Sequence, residues 1–300
     1  MNNMSGLRRR LFHKGQILRL PEHLVGPSLA TLASSFVGPD AEIPPEVSID
    51  FGKLTFIEPV GVTFISNLCH WLAHQGCKVT FLNTDVRSEA LIYLDDSQFF
   101  EQHTRKKLSP SSAPRSTTRP LQRVLQSSSH AWLTSNLIPW LASRLSVSED
   151  DLYQLRICLS EIFNNIKDHT AHDVGSIFVQ HFPNSNTVSI AVADFGVGIP
   201  ETVRRIRPEL SDNAALVQAA QEGFTSRSTH QNRGAGLDYL MRAVVLANGG
   251  FVTIYSRRGA VKFSRGASGL QAEPIPGGGF CPGTTIEVHI RTDAIRSDDE

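Results

Sequence analysis

Apolar positions recur along this chain with two different periods, and the change of period marks the change of element. Around Val47, Ile49 and Phe51 apolar and polar residues alternate, which predicts a strand over residues 47–51, with a second strand expected at 79–82. Between them, Val62, Ile65, Leu68, Cys69 and Leu72 recur at helical spacing within residues 61–74. Strand, helix, strand predicts a right-handed crossover and parallel pairing. A further short helix is expected over residues 88–100, ending in aromatics.

Farther along, Leu152, Leu155, Leu159, Ile162 and Ile166 form one apolar stripe on a long helix expected over residues 148–169. Ser148, followed three places later by Asp151, is a capping-box-like start. Strands are then expected at 176–182 and 187–194, a helix at 237–247, and strands at 251–255, 261–264 and 285–290. Helices with mostly hairpin-linked strands indicate an α+β sandwich with its helices on one face.

The two halves meet at KKLSPSSAPRSTT, a Ser-, Pro- and Thr-rich stretch without apolar period. It divides the chain into an α/β domain at 1–105, a linker at 106–124, an α+β domain at 125–291 and a polar tail at 292–300. Three hundred residues suit two domains, each with a core of its own.

Composition narrows the function classes. Lys plus Arg and Asp plus Glu both number 29, so formal charge is zero and there is no basic block to grip phosphates; nucleic acid is not the expected partner. The four cysteines have no CxxC spacing and suggest no metal set; buried reduced thiols and a cytoplasmic location are expected. The basic start lacks the apolar core of a signal peptide, and no stretch approaches the roughly 20 apolar residues of a membrane span.

Candidate chemistry begins on the long helix. Glu161, Asn165 and His169 are spaced i, i+4, i+8 and line one face. A carboxamide oxygen suits a hard Mg²⁺ ion, and a carboxylate can orient a water for attack on phosphate. On the strand 187–194, Asp194 continues the row of Val188, Ile190 and Val192, a costly place for a carboxylate unless a ligand such as an adenine amine donates to it. Gly196 and Gly198 follow at once and remove side chains where a flat ring would need close backbone approach. Gly234 and Gly236 precede Leu237 at a helix start, where free N–H groups and the macrodipole attract anions. The polar residues 223–232 before them suit a lid. Thr284, after Gly283, could reach a base directly or through water. Each feature alone is matched by an ordinary polar face or turn.

In order, Glu161-x3-Asn165, the DxGxGIP of 194–200, the GxGL of 234–237 and the late GT of 283–284 resemble the GHKL ATPases. That group holds histidine kinases, gyrase, heat-shock chaperones, MutL and the anti-sigma-factor serine kinases. The resemblance covers residues 125–291 and implies a Bergerat-fold α/β sandwich binding ATP with Mg²⁺. It implies Glu161 as general base, Asn165 as Mg²⁺ ligand and Asp194 as adenine reader. Gly196 and Gly198 would lie beside the base, Gly234, Gly236 and Leu237 at the phosphates, and Thr284 near adenine. The amino-terminal half resembles a STAS domain, through Ser48-Ile-Asp-Phe, then Phe56-Ile-Glu-Pro-Val-Gly61, then Lys78-Val-Thr-Phe-Leu82. Phosphorylated members of that family carry Ser or Thr where Pro59 stands, so this chain is not expected to be phosphorylated there.

Three readings follow. The first is a regulatory ATPase or protein Ser/Thr kinase of anti-sigma type that switches a protein partner, engaged through the STAS-like domain or the lid face, with a homodimer as a second arrangement. The second, a histidine kinase, is disfavoured because His130-Ala-Trp-Leu-Thr lacks the phosphoacceptor pattern. The third is a non-enzymatic module in which ATP locks one conformation.

Overall fold

A computed structural model describes residues 15–34, 43–85, 88–169, 174–221, 236–277 and 279–295. The first part of the chain forms β1 (Gln16–Arg19), β2 (His23–Leu24), α1 (Gly26–Ala33), β3 (Glu46–Asp50), β4 (Phe56–Ile57), α2 (Pro59–His74), β5 (Lys78–Leu82), α3 (Glu89–Asp96) and α4 (Phe99–Thr104). After these come β6 (Thr118–Leu125), α5 (Gln126–Trp132), α6 (Ile138–Leu145), α7 (Tyr153–His169), β7 (Val174–Phe182), β8 (Thr187–Asp194), α8 (Ile199–Arg204) and α9 (Asp212–Ala219). The remainder is α10 (Gly236–Leu240), β9 (Phe251–Arg257), β10 (Gly259–Gly266), β11 (Gly269–Pro274) and β12 (Cys281–Arg291). A π-helical turn, Leu133–Leu137, joins α5 to α6, and a second, Met241–Ala247, continues α10.

As the crossover predicts, β3 and β5 pair in parallel, and β1 adds to the other side of β3. The larger sheet has seven strands in the order β11-β10-β9-β12-β8-β7-β6, every pair antiparallel. Its helices α7 and α10 cover one face, through a core that includes Leu155, Leu159, Ile162, Leu237, Leu240, Ile190, Val192 and Ile286. This mixed α/β arrangement with one large sheet is consistent with the expected ATPase-type α/β sandwich.

The opposite face is also buried. A second core joins the amino-terminal residues to Phe178, Ala191, Tyr255 and Cys281 of the large sheet, so the two halves share a core. Helix α2 lies between the two sheets, and its stripe of Val62, Ile65, Leu68 and Leu72 is only part of its buried surface. Thr63, Phe64, Ser66 and Asn67, which would otherwise face water, are buried too. The polar members are satisfied: Thr63 Oγ1 donates to the Pro59 carbonyl at 3.0 Å, and Ser176 Oγ of β7 donates to Asn67 Oδ1 at 2.9 Å. A helix buried all round is what a position between two sheets requires.

The expected linker is corrected at both ends. Thr118–Leu125 is an edge strand hydrogen-bonded to β7, so the seven-stranded sheet begins before residue 125. Earlier residues of the segment are tied to α3: the buried Asp95 carboxylate accepts the Leu108 and Ser109 N–H groups at 3.0 and 2.9 Å, and Arg115 pairs with Asp96 at 2.9 Å. Lack of an apolar period hid this, because the anchors are polar. Two smaller differences concern the long helix and β11. The Ser148–Asp151 box encloses a turn, with the helix starting at Tyr153, and β11 is an edge strand with no fully buried residue. Among the described residues no helix is long and apolar enough to cross a membrane.

His70 of α2 and His103 of α4 have rings 4.5 Å apart. Burial, reinforced by Arg123, holds His70 down to about 4; burial, with His70 and Arg123, holds His103 down to about 3. Both are depressed below the ordinary 6.5, so the unfolded chain takes up protons first as pH falls. Their contribution to stability is complete above pH 6.5 and is lost on descending toward pH 4. The urea midpoint should therefore fall more steeply over that interval in the wild type than in a His70→Phe variant, as read by circular dichroism.

Candidate functional site

Strand alternation places the site. On β8, Val188, Ile190 and Val192 face the helical core, and Asp194 is next in that row. Across the ladder, Val192 pairs with Ile286, which pairs with Ile254; one step on, Asp194 pairs with Thr284, which pairs with Ser256. Three apolar rows thus end together in one polar rank, Asp194–Thr284–Ser256, at the edge of the helical face.

Asp194 is only 6% exposed. Its carboxylate accepts the Gly196 N–H at 2.7 Å and a hydrogen bond from the Thr284 backbone. Burial outweighs these two donors and raises its pKa to about 7. Among the described residues no cation offsets the charge in that balance, so a ligand donating an N–H would favour the ionised carboxylate.

Ser256 organises the turn that follows. Its hydroxyl accepts the Ile199 N–H at 3.1 Å, donates to the Gly283 carbonyl at 2.5 Å and lies 3.2 Å from Thr284 Oγ1. Gly198 has φ +84° and passes so close that a Cβ would sit 2.7 Å from Ser256 Oγ. Gly283, at φ +64°, is tighter still: a Cβ would overlap the Asp194 carbonyl oxygen and the Gly196 nitrogen. Asp194, Gly196, Gly198 and Thr284 are therefore brought together, with Ser256 and Gly283 as their supports.

The second group lies on the helices over the same face. Leu155, Leu159 and Ile162 bury one side of α7, and Glu161 is half-buried beside them. Asn165 is on the same helix, four residues on, but its side chain lies outside the described residues. Gly236 opens α10, and Leu237 is buried in the core shared with α7. Tyr239 of α10 hydrogen-bonds Gln154 of α7. Gly234 and the lid residues 223–232 lie outside the described residues.

Residues 150–294 match the family model described as histidine kinase-, DNA gyrase B-, and HSP90-like ATPase. A domain of this ATPase class is thus found at residues 150–294, and it supports ATP binding. No curated protein matches the chain. The ATPase domain holds every residue singled out above, from Glu161 to Thr284, whereas β6 and α5 precede the matched segment yet complete its sheet and core.

Ser256 was not among the residues expected at the site. Its signal was present, since Val252, Ile254 and Ser256 alternate along β9, but only strand register shows that this row ends beside Asp194. In the ATPase domain the Gly283 contact gives a direct test. Gly283→Ala should cost about 2–3 kcal/mol, through left-handed strain plus overlap with the Asp194 turn. Gly76→Ala, at φ +80° but with nothing within 4 Å of its Cβ, should cost about 1 kcal/mol. Urea denaturation of both variants measures the difference.

Proposed function

We propose that the protein is a Mg²⁺-ATP-dependent regulator that switches a protein partner, acting as an ATPase or protein Ser/Thr kinase of the anti-sigma-factor type. The observation that carries the nucleotide reading is the buried carboxylate of Asp194, which ends an apolar row and accepts hydrogen bonds from the Gly196 and Thr284 backbone. The exocyclic amine of adenine is the donor this carboxylate lacks, and Thr284 presents a hydroxyl next to it. Glu161 is the group to orient a nucleophile, and Asn165 the residue to hold Mg²⁺. The ion, when bound, offsets charge on the terminal phosphates. Gly234, Gly236 and Leu237 would take the phosphate end.

The regulatory branch rests on the amino-terminal layer. Parallel β1, β3 and β5 with α2 beginning at Pro59 support the STAS-like reading. Proline at the first position of that helix has no hydroxyl, so phosphate does not go there. The partner is a protein, met through this layer or the lid face, with a homodimer as the other arrangement. A second reading has ATP as a conformational lock without turnover, and the core shared by the two halves favours it.

Calorimetry of the full chain should register uptake of Mg-ATP, and Asp194→Asn should weaken it roughly 10- to 100-fold. Because the Asp194 pKa is about 7 before binding, and an amine donor favours the ionised form, binding at pH 7 should release about half a proton. Heats that do not depend on the buffer's ionisation enthalpy would count against Asp194 as the adenine reader. Glu161→Gln should keep nucleotide affinity while lowering phosphate release or transfer by about 100-fold. If the partner is still switched by that variant but not by Asp194→Asn, the lock reading replaces the enzyme.

A further inference from the structure

Between the two residues expected to meet adenine, Asp194 and Gly196, stands Phe195, and it belongs to the other side of the sheet. Its ring lies 5.7 Å from Phe64 and 6.1 Å from Trp71, both on α2. Phe64 is fully buried. Three residues before Asp194, the Ala191 carbonyl lies 3.5 Å from Thr63 Oγ1 of the same helix.

Other parts of the amino-terminal layer back the neighbouring strands. The Tyr255 hydroxyl presses on Gly26 at the start of α1, leaving no room for a Cβ. The Phe280 N–H, just before β12, meets the Ala30 carbonyl at 3.1 Å and Ser34 Oγ at 2.8 Å. Tyr255 precedes Ser256, and Phe280 lies three residues from Gly283. Each segment that builds the base end of the site thus rests on α1 or α2.

We propose that Phe195 is a positioning residue through which α2 sets the adenine-reading turn, so that nucleotide occupancy and the packing of the amino-terminal layer are coupled. The proposal rests on the ATP-site reading above and adds the route by which occupancy would reach the STAS-like layer. Phe195 shares a backbone turn with Asp194 and Gly196. A shift of the carboxylate toward a ligand therefore moves the ring against Phe64 and Trp71. Close-packed interiors transmit such shifts rather than absorb them. Coupling is reciprocal, so a change in α2 alters nucleotide affinity by the same factor that nucleotide alters α2.

The test uses the full chain. Calorimetric titration with Mg-ADP compares the wild type, Phe64→Leu, Phe195→Leu and the double variant, with circular dichroism as the folding control. Phe64→Leu, on a helix with no expected nucleotide contact, should weaken binding roughly five- to tenfold, and so should Phe195→Leu. The double variant should be no weaker than the weaker single one, because both remove the same contact. In a Trp132→Phe/Trp140→Phe chain, Trp71 is the sole remaining tryptophan of three. Its emission should change on adding Mg-ADP, with the calorimetric affinity, and Phe195→Leu should abolish that change while binding heat persists. Wild-type affinity in Phe64→Leu, multiplicative penalties, or silent Trp71 emission at saturation would each overturn the coupling while leaving the ATP site intact. Absence of any binding heat in the wild type overturns the ATP-site reading itself, and the coupling with it. Should Phe64→Leu not fold, the Trp71 titration, in which Phe64 and Phe195 are unaltered, decides.

Discussion

Both faces of the central strands in the seven-stranded sheet are buried, so the two-residue pleat assigns successive side chains to different cores. On β8, Ile190 and Val192 belong to the helical side and Ala191 to the amino-terminal side. On β9 the same division separates Ile254 from Tyr255. A strand serving two cores cannot slip by one residue, because every side chain would exchange environments. The register that results carries Asp194, Thr284 and Ser256 to one edge as a rank. It also sends Phe195 to the opposite face, against α2.

The chemistry of the Asp194 turn follows from that rank. A carboxylate at the end of three apolar rows is desolvated by its position, and the Gly196 and Thr284 N–H groups only partly compensate. The glycines are answers to crowding. Gly198 and Gly283 both adopt left-handed backbone where the turn after β8 and the start of β12 pass within reach of each other, with the Ser256 hydroxyl filling the space between. The Asp194 turn is thus built by backbone approach across three strands, and the helices α7 and α10 cover the same face of the sheet.

Much of the site was legible because its motifs are local. Asp194 to Gly198 is a strand end followed by a glycine turn, and Glu161 sits on a helix whose stripe of Leu155, Leu159 and Ile162 is plain in sequence. Ser256 and Gly283 were harder: Ser256 accepts the N–H of Ile199, 57 residues away in the chain, and Gly283 matters because a Cβ there would overlap the Asp194 carbonyl oxygen. On α2, Thr63, Ser66 and Asn67 have the look of a solvated face. They are buried because a second sheet lies over them, with partners such as Ser176 that are 109 residues distant. The Ser- and Pro-rich stretch misled for the same reason: the anchors are the Asp95 and Asp96 carboxylates, and polar anchoring leaves no apolar period.

Sequence alone determined the β3–α2–β5 crossover with its parallel pairing, the long helix α7, the strands β7, β8, β9, β10 and β12, and the ordered motifs of an ATP-binding domain. These depend on hydrophobic period and on side-chain chemistry within a few residues, which the chain carries wherever it lies. Tertiary structure decided that the amino-terminal layer covers the back of the ATPase sheet, that β6 begins that sheet, and that Ser256, Gly283 and Phe195 surround the Asp194 turn. Those outcomes depend on which buried faces meet and in what register, and apolar burial has no direction until the partner surface is present.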